Sequence, residues 1–292
     1  FDVEGLRFGK GLRTAAERVV PRLYDAMEPS GTVELRDNTI KVSTDPNGQR
    51  SMSFGGRIGL KGCSFGKEEF SDITATLDIK GNFEGQSVLG DVEAELNAEK
   101  IIIRDKVVSN LSGHVNYHKG QRTWSIGNFV GECYEGRVSG DVTIRPEEDG
   151  GFSYSVKGSF DKVNMGRFLA KRGADPNTVS SGTMRGVLMV QGRLGDRKSR
   201  SGNLVLKVAE MRIGRMSLMA KIFTLLSLSV PGDVAFHTMD MNSQINGERL
   251  VISDLRMSGD ALNFKGAGVI DMNRRLVDID LAATSPTPAP GL

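Results

Sequence analysis

Histidine, cysteine and aromatic residues are scarce in this chain. Its 292 residues include three histidines, two cysteines and a single tryptophan, and 6% of the residues are aromatic. His114 and His118 fall in a predicted strand, where residues four apart share a face but stand too far apart to bind one metal ion easily. We therefore expect no metal site and no cofactor. The low aromatic content also argues against a carbohydrate-active protein, which needs aromatic side chains for sugar stacking.

Several common catalytic motifs are missing as well. The chain contains no Walker loop, no His-Glu-x-x-His and no Cys-x-x-Cys. Asp278 and Asp280 alternate with apolar residues, which is typical of the solvent face of a strand and not of a carboxylate pair for acid–base chemistry. We therefore expect that the protein is not an enzyme.

A strong charge imbalance and long apolar runs are also absent. The formal net charge of +2 argues against a nucleic-acid-binding protein. No apolar run reaches the roughly 18–20 residues that span a bilayer. The chain begins at Phe1 and shows no signal peptide, so we expect a piece of a longer or processed protein whose membrane anchor lies outside it. Cys63 and Cys133 fit either one disulfide or two buried thiols.

The dominant pattern in the chain is a period of two. From Thr32 onward, short segments alternate apolar and polar residues between Gly, Asn or Asp, which predicts antiparallel strands joined by hairpins. Asp37-Asn38 is predicted to be one of the hairpin turns. Two amphipathic helices are also predicted, one over Gly11 to Met27, which Pro21 should kink or restart, and a short one over Asn164 to Arg172.

One segment, Arg215 to Val230, is strongly apolar and is predicted to be a helix. Its few polar residues fall in one narrow stripe and are Ser217, Lys221, Thr224 and Ser227. A helix of this kind must be covered by a sheet, by a partner or by lipid.

A weak internal repeat favours a sheet that is built by adding hairpins. The segment from Trp124 to Phe129 matches the segment from Leu250 to Leu255, at a constant offset of 126 residues. Each copy predicts a strand, a turn at Asn128 or Asp254, a second strand, a glycine turn and a third strand.

The C-terminal half resembles a known family. Its segments, in order, are the short helix from Met165 to Lys171, the strands Gly182 to Gly192 and Ser201 to Gly214, the apolar helix, and the strands from Asn246 to Asp271. This order is similar to the C-terminal region of the AsmA-like family, which includes the TamB and YhdP types. The resemblance covers roughly residues 155 to 283.

The resemblance implies both a fold and a function. AsmA-like proteins are envelope proteins of diderm bacteria, and their long β-sheet curls into an apolar groove that is thought to carry phospholipid acyl chains. Open twisted sheets rarely exceed about ten strands without curling or splitting. We therefore expect a mostly β protein with a few short helices, in which a long curled antiparallel sheet forms an open, taco-like groove and the apolar helix packs in or at this groove.

Four segments are expected along the chain. Residues 1–29 form an N-terminal helical segment, and residues 30–160 form an antiparallel sheet. Residues 161–283 continue this sheet as the AsmA-like region, and residues 284–292 form a disordered tail or linker.

The expected function is non-enzymatic binding and transfer of phospholipid or another acyl lipid between the inner and outer membranes. The expected location is the periplasm, and the expected partners are lipid, a membrane surface and envelope proteins, but not nucleic acid. The predicted lipid-binding residues are Leu218, Met219, Ile222, Phe223, Leu225 and Leu226. The alternative is a structural or adhesive extracytoplasmic β-protein that has a closed core and carries no lipid.

Overall fold

The computed structural model describes residues 1–19, 23–44, 46–48, 50–66, 70–84, 88–170, 181–212, 235–259, 263–274 and 276–284. Strands hold roughly four fifths of these residues and helices hold less than a tenth. The predicted fold class, mostly β with a few short helices, is confirmed.

The described residues form a single antiparallel sheet of fifteen strands in sequence order, so each strand is hydrogen-bonded to the strands before and after it in the chain. The strands are β1 (Val3–Arg7), β2 (Ser30–Thr44), β3 (Arg50–Phe65), β4 (Phe70–Glu84), β5 (Val88–Ile103), β6 (Lys106–His118), β7 (Thr123–Cys133), β8 (Gly136–Pro146), β9 (Phe152–Asn164), β10 (Ser181–Arg193), β11 (Asp196–Arg212), β12 (Ala235–Asn246), β13 (Arg249–Gly259), β14 (Asn263–Asp271) and β15 (Leu276–Thr284). The outer strands β1 and β15 do not pair with each other, so the sheet is not closed. Short hairpin connections, such as those after β5, β7 and β12, join neighbouring antiparallel strands in this order.

Three short α-helices accompany the sheet in the described residues: α1 (Lys10–Val19), α2 (Leu23–Met27) and α3 (Met165–Leu169). The predicted helix from Gly11 to Met27 corresponds to α1 and α2, and the predicted kink at Pro21 lies outside the described residues. The Asn164 side chain caps α3, because its Oδ1 accepts a hydrogen bond from the Arg167 N–H at 3.1 Å. Among the described helices, none combines the length and the apolar character needed to cross a membrane.

Several strands contain residues in the left-handed conformation and continue through them. Asp37, Asp72, Asn110 and Asn128 have φ angles of 55°, 50°, 49° and 52°, and each lies at a shift in strand register. Asp and Asn tolerate this conformation better than other residues with a side chain. A bulge of this kind bends its strand and increases the local twist.

Three predicted turns are therefore wrong. The Asp37-Asn38 turn is a bulge inside β2, which runs on to Thr44. In the internal repeat, Asn128 and Asp254 likewise mark register shifts inside β7 and β13, not turns between strands. The pairing partner continues past each of these positions, so the chain does not reverse there.

Contacts divide the chain into two compact units. Unit 1 comprises Phe1–Cys133, Val138–Lys157 and Gln191–Asp196, and unit 2 comprises Tyr134–Arg137, Gly158–Val190 and Arg197–Leu292. Unit 1 has a buried cluster of Cys63, Ile73, Ala75 and Ala98. In unit 2, the deeply buried rings of Phe236 and Phe264 have their centroids 5.7 Å apart.

Candidate functional site

The sheet of unit 1 has one face made almost entirely of apolar side chains. Strand pairing aligns these side chains in rows that cross β2 to β7. The rows are Leu35, Ile58, Leu77 and Leu96; Val33, Leu60, Ala75, Ala98 and Leu111; Ile79, Ala94, Val115 and Ile126; and Ile40, Phe54, Gly81, Val92, Tyr117 and Trp124. We call the surface formed by these four rows the apolar face. Six neighbouring strands at about 4.8 Å spacing make it about 24 Å wide.

Aromatic rings extend over one end of the apolar face. The rings of Tyr117 and Trp124, which are paired across β6 and β7, have centroids 4.8 Å apart. The ring of Phe54 lies 5.3 Å from that of Phe83 on the neighbouring strand. Tilted pairs at these separations contribute stability beyond the area that they bury.

The apolar face is only partly shielded from solvent. Ala75, Ala98, Val33 and Val92 are buried, and Ile40 at the edge of the face is 55% exposed. The larger side chains are half-buried: Leu35, Ile58, Leu77, Ile79, Leu96, Val115 and Ile126. Among the described residues that pack in the buried cluster at this face, only Phe8 lies outside the sheet. A continuous, partly exposed apolar surface of this size is typical of a site for lipid or for a partner protein.

The six predicted lipid-binding residues, from Leu218 to Leu226, lie outside the described residues, and so does the rest of the predicted helix at 215–230. Their role stays a prediction. The apolar face is a different surface. The period of two in the sequence indicates the apolar side of each strand. Which side chains share a row on the apolar face depends on the strand register.

His114, Cys63 and Cys133 have structural surroundings in unit 1. His114 Nδ1 lies 2.7 Å from Glu95 Oε1 on the solvent side of the sheet. Both cysteines are free and buried, so burial raises the pKa of the Cys63 thiol and of the Cys133 thiol. Within the part of the chain that the structure describes, no group of three or more His, Cys, Asp or Glu residues could hold a metal ion.

A Gly-x-Ser-x-Gly sequence at residues 62–66 resembles the nucleophile motif of α/β-hydrolases. In that fold the serine stands on a sharp turn between a strand and a helix. Here Ser64 lies inside β3, directly opposite Ser30 of β2, and the next described element is β4. The motif therefore lacks the structural context that would expose and activate its serine.

The opposite face of the same sheet carries polar side chains. The central row is Glu34, Gly59, Thr76, Asn97 and Ser112. These mostly small residues form the floor of a cleft of 460 Å³, which we call the polar cleft. Charged side chains such as Arg36, Arg57, Lys61 and Glu99 also line it.

Ion pairs organise one end of the polar cleft. The Lys61 ammonium and the Arg36 guanidinium both donate to Glu34, at 2.6 and 2.9 Å. The hydrogen bond from Lys61 is the main reason that the pKa of the Glu34 carboxyl lies below its ordinary value. Arg57 Nε donates to Asp78 at 2.8 Å. The two faces thus offer different chemistry, hydrocarbon contact on one side and fixed charges on the other.

Comparisons with known proteins identify no family for this chain, because no protein-family model, no curated protein and no solved structure matches it.

Proposed function

We propose that this chain is a non-enzymatic lipid-binding and lipid-transfer segment of a bacterial envelope protein, and that the apolar face of unit 1 holds phospholipid acyl chains. The observation that carries the proposal is the alignment of four apolar rows in which most of the large side chains stay half-buried. Side chains on this face contact one another but leave hydrocarbon surface open to a ligand.

Hydrocarbon contact alone is sufficient for such binding. Each CH₂ group that leaves water contributes about 0.8 kcal/mol. An acyl chain of ordinary length therefore gains on the order of 10 kcal/mol, from which the cost of immobilising the ligand is subtracted. No catalytic or metal-binding group is needed, and a continuous apolar surface tolerates different acyl chains.

The cellular setting is also part of the proposal. The resemblance of residues 155–283 to the AsmA-like family supports a periplasmic location, with transfer between the inner and outer membranes. A membrane surface and other envelope proteins would then be the partners. The residues from Leu218 to Leu226 are proposed as a second group of lipid contacts in unit 2.

Photo-crosslinking from adjacent positions of β4 tests the proposal. Leu77 belongs to the apolar face, whereas Asp78 points to the other face and pairs with Arg57. A photoreactive amino acid is placed at either position, and the protein is purified without detergent from the periplasm of a diderm host. After irradiation, we expect phospholipid adducts from position 77 and not from position 78. Equal labelling from both positions, or no adduct from position 77, would refute the site.

Charge substitution gives an independent test on β5. Leu96→Asp places a carboxylate on the apolar face, and Asn97→Asp places the same group one residue later on the polar face. Native mass spectrometry should show phospholipid bound to the wild type and to Asn97→Asp, and much less bound to Leu96→Asp. Circular dichroism checks that both variants are folded.

A second candidate is a structural or adhesive extracytoplasmic β-protein with a closed core. The interior of unit 2 favours it, because Phe236 and Phe264 are only 1% and 2% exposed. This candidate predicts that protein from a diderm host carries no lipid and that Leu96→Asp changes only stability. The experiments above therefore separate the two candidates.

A further inference from the structure

The polar cleft of unit 1 has no role in the proposed lipid function. At its basic end, formed by Arg36, Arg57 and Lys61, the side chains are arranged in a way that should destabilise the sheet. Arg36 of β2 and Arg57 of β3 stand directly opposite each other. Like charges at such positions destabilise a pair of strands. Lys61 follows on the same face of β3, with Gly59 between it and Arg57. Three cationic side chains therefore surround one glycine.

The neighbouring carboxylates hold these cations in place without using all their donors. Glu34 accepts from Arg36 Nη2 and Lys61 Nζ, and Asp78 accepts from Arg57 Nε. A guanidinium has five N–H donors, so each arginine keeps donors for a ligand. The Glu34 side chain is only 13% exposed and lies below its two partners. Two carboxylates facing three cations leave an excess positive charge at this end.

The gap above Gly59 is not required by the fold. A Cβ atom at position 59 would lie 3.5 Å from Glu34 Cβ and 3.7 Å from Glu34 Oε2, which are ordinary van der Waals contacts. The backbone there is not in the left-handed region that favours glycine. The missing side chain leaves the cleft open between Arg57 and Lys61.

The other end of the cleft has a different character. Beyond Gly59 the floor continues with the hydroxyl of Thr76, the amide of Asn97 and the hydroxyl of Ser112. Glu99 adds a negative charge on β5. Two strand spacings, about 10 Å, separate β3 from β5. A ligand of this length would meet cations at one end, and hydroxyl and amide groups with a carboxylate at the other.

We propose that the polar cleft binds a phosphorylated, hydroxyl-bearing molecule, with its phosphate against Arg36, Arg57 and Lys61 and its hydroxyl groups toward Asn97 and Ser112. The planar fork of arginine matches two phosphate oxygens. Glu99 repels a second anionic group, so the ligand carries its phosphate at one end. A sugar phosphate and a phosphoglycerol lipid headgroup share this chemistry. The charged and polar side chains of the site lie on the other side of the sheet from the side chains of the apolar face.

Titration calorimetry of the whole chain with glucose 6-phosphate and with glucose tests the site. We expect glucose 6-phosphate to bind and glucose to bind at least about 10-fold more weakly, because the charge-assisted hydrogen bonds are lost. Arg57→Gln and Gly59→Leu should each weaken glucose 6-phosphate binding by about 10-fold or more, the first by removing a cation and the second by filling the gap. Lys80→Gln is the matched control, because Lys80 pairs with Glu93 outside the cleft.

Three results would overturn the proposal: no binding of glucose 6-phosphate, equal binding of glucose, or equal losses in Lys80→Gln and Arg57→Gln.

Sedimentation with phosphatidylglycerol vesicles distinguishes the two sources of the phosphate. Loss of vesicle binding in Gly59→Leu, with binding kept in Lys80→Gln, assigns the site to a lipid headgroup. Binding of glucose 6-phosphate without vesicle binding assigns it to a soluble ligand. Leu96→Asp should leave glucose 6-phosphate binding unchanged, so failure of the lipid proposal and failure of this one are separable.

Discussion

The ring of Phe54 occupies the space that any side chain at Gly81 would need. A Cβ atom at position 81 would lie 2.6 Å from Phe54 Cζ and 3.1 Å from Val92 Cγ2. Glycine inside a strand normally weakens it. Here the ring covers the glycine of the neighbouring strand, an arrangement that offsets the loss and keeps the apolar face continuous.

Filling this space should destabilise unit 1. We expect Gly81→Val to lower the free energy of unfolding by about 1–3 kcal/mol, because the ring must leave its position. Gly59→Ala is the control on the adjacent strand, where a Cβ atom meets only ordinary contacts. It should be neutral or stabilise by up to about 1 kcal/mol. Urea denaturation measures both, and equal losses would contradict this account of Phe54.

Gly31 should tolerate no side chain. Its φ is +111°, and a Cβ atom would lie 2.6 Å from Cys63 Cα, a backbone atom that cannot move away easily. We expect Gly31→Ala to lower the free energy of unfolding by about 3 kcal/mol or more, because conformational strain and a steric clash add to each other. Gly48 has φ +80° but no atom within 4 Å. Gly48→Ala should therefore cost only the strain, about 1–2 kcal/mol. Thermal and urea unfolding of the two variants would reveal the difference.

Acid should weaken unit 1 partly through Glu34. The hydrogen bond from Lys61 lowers the pKa of this carboxyl in the folded protein. A carboxyl with a depressed folded pKa stabilises the fold above its unfolded pKa of about 4.3, and this contribution is lost as the pH falls through the folded pKa. Between pH 7 and pH 3, Glu34→Gln should therefore lose less stability than the wild type. Lys61→Gln should raise the Glu34 pKa in an NMR titration, and an unchanged pKa would rule out this cause.

The two thiols should be unreactive in the folded protein. Burial raises the pKa of Cys63 and of Cys133 and blocks reagents from reaching them. At pH 8 we expect iodoacetamide to modify neither residue in native protein and both residues in urea, as read by intact mass. If the protein stays unmodified in urea until a reductant is added, the two cysteines form a disulfide instead.

Removing bound lipid should lower the melting temperature. A ligand that binds only the folded state stabilises it by about 2.7 kcal/mol at a free concentration of 100 times its Kd. Protein stripped by organic extraction and refolded should therefore melt several degrees below the purified protein, and phospholipid should restore the difference. Leu96→Asp should melt at the same temperature with and without phospholipid. A wild type that does not respond to lipid would argue for the closed-core alternative.

Local alternation was sufficient to predict most strands and the polar or apolar side of each residue. In β5, Val92, Ala94 and Leu96 alternate with Glu93, Glu95 and Asn97, and the two sets do lie on opposite faces. The physical reason is that side chains in a strand point alternately to its two sides, whatever the rest of the fold does. Asp37 and Asn128 were also recognisable as residues that leave the extended conformation.

Whether such a residue turns the chain or only bends it was decided by the tertiary structure. β2 continues beyond Asp37 because β3 pairs with it on both sides of the bulge, and this pairing partner is distant in sequence. Register likewise placed Arg36 opposite Arg57 and aligned Leu77 with Leu96, so neither the polar cleft nor the apolar face could be read from the chain alone. The amino-acid sequence determined which residues are apolar and to which side of their strand they point. Pairing between strands that are distant in sequence determined which of these residues form one surface.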